Sequence, residues 1–111
     1  MTLRQDKPRL LVDTADARVA EFSLPPGQAG EYHYHSNVSE YCYCLEGILS
    51  VTLEGGPCKT LSQGERQLIP AGVPHQVANT GETSCRYLVV QGVGAFDFIR
   101  LKGEGDVRNE F

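Results

Sequence analysis

Glu31-Tyr32-His33-Tyr34-His35-Ser36-Asn37-Val38-Ser39-Glu40-Tyr41-Cys42-Tyr43-Cys44-Leu45-Glu46-Gly47 holds two of the three histidines of this chain and one carboxylate at close spacing. Alternation along an extended segment sends His33 and His35 to one face, with Cα atoms about 6.5 Å apart, so both imidazoles can reach one ion. The third histidine, His75, stands forty residues beyond His35. His33, His35, Glu40 and His75 are therefore the candidate metal ligands, and the competing reading for each histidine is a solvated or hydrogen-bonded core imidazole.

Glycines and prolines punctuate both regions. From Gly27, five residues lead to His33, one to His35, four to Glu40 and six to Gly47. From Gly64, five lead to Pro70, and Gly72, His75 and Asn79 follow; sixteen residues separate the two strings. Both strings resemble, position for position, the two signature motifs of the cupin superfamily. The resemblance implies an all-β fold, a single-domain jelly-roll barrel of mostly antiparallel strands, with the metal ligands at the four positions named. The glycines read as turn residues with positive φ, Pro70 and Pro74 as stiffeners of the turn before His75, and Asn79 as a turn pin that bonds backbone.

The rest of the chain is compatible with such a barrel. Stretches rich in β-branched and aromatic residues predict strands over 9–13, 18–24, 31–35, 39–45, 48–53, 58–61, 66–69, 76–78, 85–91 and 96–101, separated by Pro/Gly turn chemistry. The 111 residues form one domain, 1–111, whose glycine-rich, charged end 102–111 reads as a flexible tail.

Composition bounds the partners. A net charge of -4 with acids and bases interspersed offers no basic patch, so nucleic acid is not an expected partner. No apolar run approaches the length of a membrane span and the first residues lack a signal-peptide core, so the expected setting is cytoplasmic. An unpaired strand edge and the habits of small cupins make a homodimer the expected assembly.

Four cysteines complete the inventory. Cys42 and Cys44 share strand parity with Glu40, while Tyr41 and Tyr43 point the other way. As small buried side chains they would pack the core; the sharper alternative has Cys42 tuning or ligating the metal, or forming a redox link. A disulfide framework is not expected, and Cys58 and Cys85 carry no spacing signal.

Three neutral imidazoles and a carboxylate suit iron, manganese, nickel, zinc or copper. In octahedral geometry two positions stay open for a small-molecule substrate, and the resemblance implies dioxygenase chemistry first and isomerase or lyase chemistry next, with Glu40 as the one candidate base. A non-catalytic binding or sensing module, with zinc closed tetrahedrally by the same four residues, is the alternative. Arg66, Gln67, Gln76, Arg86, Tyr87 and Gln91 are polar candidates for the cavity wall, undecided because strand parity depends on the turns. An arginine there would suit a carboxylate-bearing substrate.

Overall fold

A computed structural model describes residues 2–3, 8–92, 97–101 and 107–108. Its strands are β1 (Thr2–Leu3), β2 (Arg9–Asp13), β3 (Arg18–Leu24), β4 (Gln28–Ala29), β5 (His33–Tyr34), β6 (Glu40–Glu46), β7 (Leu49–Leu53), β8 (Cys58–Leu61), β9 (Arg66–Ile69), β10 (His75–Ala78), β11 (Cys85–Gln91), β12 (Phe98–Arg100) and β13 (Val107–Arg108). No helix occurs among the described residues.

The strands form two sheets. One has the order β2-β3-β11-β6-β9. The other runs β1-β4-β10-β5-β12-β13, with β7 on the opposite edge of β10 and β8 beyond it. Every pairing among the described residues is antiparallel except β1 with β4. This is the expected jelly-roll barrel.

Period-two alternation explains why the sheets close on each other. Along β11, Cys85, Tyr87 and Val89 are buried while Arg86, Leu88 and Val90 are only half-buried; along β6, Cys42 and Cys44 are buried beside Glu40. These residues meet Leu49, Val51, Leu61 and Val77 of the facing sheet in a single core. Each fully buried Leu or Ile contributes about 1.5–3 kcal/mol, so this shared layer holds the sheets together.

The turn between β6 and β7 shows why glycine stands at one motif position. Gly47 has φ +82°, and a Cβ there would lie 2.8 Å from the Ser84 carbonyl oxygen. Any other residue would be strained in backbone and would collide with the strand opposite.

One expectation changes. The strand expected over 31–35 shortens: β5 covers His33 and Tyr34 alone, and the His35 carbonyl accepts from Gly72 N–H at 2.7 Å in the turn before β10. His35 thus sits at a strand end, anchored by the second glycine-proline string. The expectation of a flexible tail over 102–111 falls outside the described residues, apart from Val107–Arg108, which pair with Phe98 and Ile99.

Candidate metal centre

The four expected ligand residues come together inside the barrel. β5 supplies His33, the following turn His35, and β10 His75, whose Cα pairs with that of His33. Glu40 opens β6 in the other sheet. The donor nitrogens of the three histidines lie within 4.8 Å of one another. Glu40 lies outside that close group of three but reaches two of its members from across the core, with Oε1 3.2 Å from His35 Nε2 and Oε2 3.3 Å from His75 Nε2.

The second nitrogen of each ring is already committed. His33 Nδ1 bonds the Glu31 carbonyl at 2.8 Å, His75 Nδ1 the Val73 carbonyl at 2.9 Å, and His35 Nδ1 the Asp97 carbonyl. A carbonyl oxygen only accepts, so each Nδ1 carries a proton and the lone pair of each neutral ring sits on Nε2. Those of His35 and His75 face Glu40. Buried His75 Nε2 satisfies no hydrogen-bond geometry among the described residues despite its closeness to Oε2. A buried nitrogen lone pair without a donor is what a metal ion would satisfy, and the donor set fits one.

Electrostatics agree with the geometry. Burial lowers His33 to about 3, reinforced by the positive charge that His75 and His35 can carry. Burial works against ionised Glu40, but in the metal-free chain the hydrogen bonds and positive charge that His35 and His75 offer when Nε2 carries a proton outweigh it and hold the carboxyl well below its usual range. For His35 burial again lowers the value, while the Glu40 contact and the Asp97 carbonyl raise it overall. Glu40 is therefore an ionised anchor of low basicity, an arrangement that favours a ligand over a base.

Neighbouring side chains frame the centre. Phe98 stacks on His33, with ring centroids 4.0 Å apart and planes 14° from parallel. Gln91, at the inner end of β11, donates from Nε2 to Glu40 Oε1 at 2.7 Å. Asp97 takes the Ser36 N–H with its carboxylate, which fixes the backbone next to His35. Among the four ligand candidates His33 alone is part-exposed; His35, Glu40 and His75 are buried. His33 is thus the candidate ligand with the most solvent contact.

The other polar candidates divide cleanly. Gln91 reaches the site; Arg66 lies over the Tyr41 and Tyr43 rings on the outer face, and Arg86 pairs with Glu21 and Glu46. Tyr87 is a core residue stacked on Phe22, Gln76 donates to the Gly30 carbonyl, and Gln67 donates to the Leu68 carbonyl. Asn79 pins backbone as expected: Nδ2 donates to the Leu24 and Thr83 carbonyls and Oδ1 accepts from Gly81 N–H. All four cysteines are free thiols. Cys42 is fully buried in the core cluster, and burial together with the Glu40 charge pushes its thiol far up, so it packs as a neutral group.

Composition and strand pattern alone did not single out Phe98 or Asp97. Asp97 acts on His35 through a backbone carbonyl, which has no sequence signature. Gln91 had one: it is the polar member of the inward series Cys85, Tyr87, Val89, Gln91.

A curated relative, protein SchB of Streptomyces halstedii, is 36% identical over 61 residues, covering 55% of this chain and 44% of that protein. A mannose-1-phosphate guanylyltransferase of Klebsiella pneumoniae is 28% identical over 98 residues, 86% of this chain but 21% of the relative. The chain thus spans less than half the length of these relatives. Among solved structures, a conserved protein with a double-stranded β-helix domain from Klebsiella pneumoniae superposes with a TM-score of 0.77 at 20% identity, covering 87% of this chain and 86% of that one. TT1209 from Thermus thermophilus gives 0.70 at 29% identity, covering 81% and 89%. The family model described as "Cupin domain" matches residues 20–91, a span that holds all four candidate ligands, and the chain belongs to the cupin family.

Proposed function

We propose that the chain is a metal-dependent enzyme acting on a small organic molecule, with one divalent ion held by His33, His35, Glu40 and His75. The observation that carries this reading is the shared tautomer: three Nδ1 atoms tied to backbone carbonyls, which leaves Nε2 of each neutral ring to bind, with the Glu40 carboxylate beside those of His35 and His75. A bound ion would supply Lewis acidity, or electron transfer to oxygen if redox-active. The protein's own groups orient the ligands. Glu40 brings one negative charge that leaves a divalent centre about one unit positive, which suits an anionic, chelating substrate. Phe98, buried and stacked on His33, holds that ring in place beside the centre.

Oxygenation of such a substrate is the leading reaction, and isomerisation or lyase chemistry through the same Lewis acid comes second. The test is reconstitution with iron(II), manganese(II), nickel(II) or zinc(II) and measurement of oxygen uptake across small carboxylates, diketones and catechols. Uptake that depends on a redox metal and stops in His75→Ala supports oxygenation; product without oxygen uptake moves the assignment to the second class.

One observation favours a rival reading. Glu40 belongs to one sheet and His33 and His75 to the other, so an ion among them would also tie the sheets together. A non-catalytic module with a structural metal has the same geometry. It predicts tight zinc, no turnover with any metal, and no exchangeable water on the ion.

A further inference from the structure

Gln91 is 1% exposed, at a place where the inward series of β11 is otherwise apolar or cysteine. An amide buried without partners costs about 1–3 kcal/mol, so its presence needs a return. Its Cα pairs with that of Glu40 across β11 and β6, and its Nε2 donates to Glu40 Oε1 at 2.7 Å. The reversed amide would set two acceptor oxygens against each other, which fixes the orientation chemically. Gln91 Oε1 has no hydrogen-bond partner among the described residues, so Glu40 is its one side-chain engagement there.

The contact makes the two carboxylate oxygens unequal. Oε1 takes the Gln91 amide and lies 3.2 Å from His35 Nε2, whereas Oε2 faces buried His75 Nε2 at 3.3 Å. A carboxylate can bind an ion through one oxygen or both, and a donor fixed on one oxygen competes with the ion for its lone pair.

We propose that Gln91 is a positioning residue that keeps Glu40 a one-oxygen ligand, holding Oε1 back so that Oε2 binds. This rests on the metal reading above and adds a consequence to it. With three imidazoles and one oxygen, an octahedral ion keeps two open positions; with both oxygens bound it keeps one. Gln91 would thereby decide whether a chelating substrate has room.

The experiment uses the full chain loaded with cobalt(II), azide as the probe of open positions, and infrared difference spectra of 13C-glutamate-labelled protein. Wild type is expected to show the wide separation of carboxylate stretches that marks one-oxygen binding, and to bind azide. In Gln91→Met, which fills similar space without a donor, the separation narrows and azide affinity falls about tenfold, the low end for losing a ligand-orienting partner. Unchanged spectra and azide affinity in Gln91→Met overturn the proposal. So does a narrow separation in wild type, which decides the matter even if the variant fails to fold. Cobalt bound through both Glu40 oxygens defeats this inference alone, whereas no cobalt uptake by wild type defeats the metal reading and the inference with it.

Discussion

Three backbone carbonyls do more to define this centre than any charged neighbour, because each decides which nitrogen of a histidine is left to bind. Two predictions belong to single residues. In the metal-free chain His33 falls from an ordinary 6.5 to about 3 in the folded state, so the unfolded chain binds more protons between those values. Its contribution to stability is full above 6.5 and is lost as the pH falls toward 3. His35, raised by Glu40, has the opposite sign and must shed its proton before it can bind an ion. Zinc affinity should therefore rise between pH 6 and 8, by up to about tenfold per unit where one proton is displaced, with calorimetry in two buffers reporting proton release. Cys42→Ser should lower stability by about 1–2 kcal/mol in urea melts, the cost of a hydroxyl in a thiol's packed place, and leave cobalt spectra unchanged. Altered spectra would make Cys42 a partner of the metal.

At the scale of strands and turns, the β6–β7 connection is the most exacting element. Gly47→Ala combines a positive φ with a Cβ 2.8 Å from the Ser84 oxygen, and should cost about 2 kcal/mol or more by denaturant unfolding. Gly64→Ala also has positive φ but meets nothing within 4 Å, so it should cost less. Equal costs would show that backbone conformation alone sets the penalty. Much of this level was legible in the chain: 9–13, 18–24, 58–61, 66–69 and 85–91 are strands with the bounds expected from β-branched content and flanking turns. The misses have physical causes. Residues 31–35 do not form one strand because the His35 carbonyl is claimed by Gly72, a long-range bond with no local signature. β1 and β13 are two-residue pairings, too short for periodicity to register. The ligand residues were readable because four rare side chains recur at fixed spacings; Gln91 and Phe98 were not settled, because parity across a turn decides which way a strand end faces.

For the whole molecule, the candidate centre is where the sheets meet through polar groups as well as apolar ones. His33 and His75 stand on the eight-stranded sheet and Glu40 on the five-stranded one. An ion present at a hundred times its dissociation constant would stabilise the fold by about 2.7 kcal/mol, and chelation should lower Tm by roughly 10–20 °C in a domain of this size. The most direct test is a calorimetric titration of the metal-free chain with zinc(II), run side by side with Glu40→Gln and His75→Ala. One ion per chain in wild type, with affinity at least about a hundredfold weaker in each variant, is the predicted result. Variants that take up zinc as tightly as wild type would contradict the assignment of His33, His35, Glu40 and His75 as the metal site.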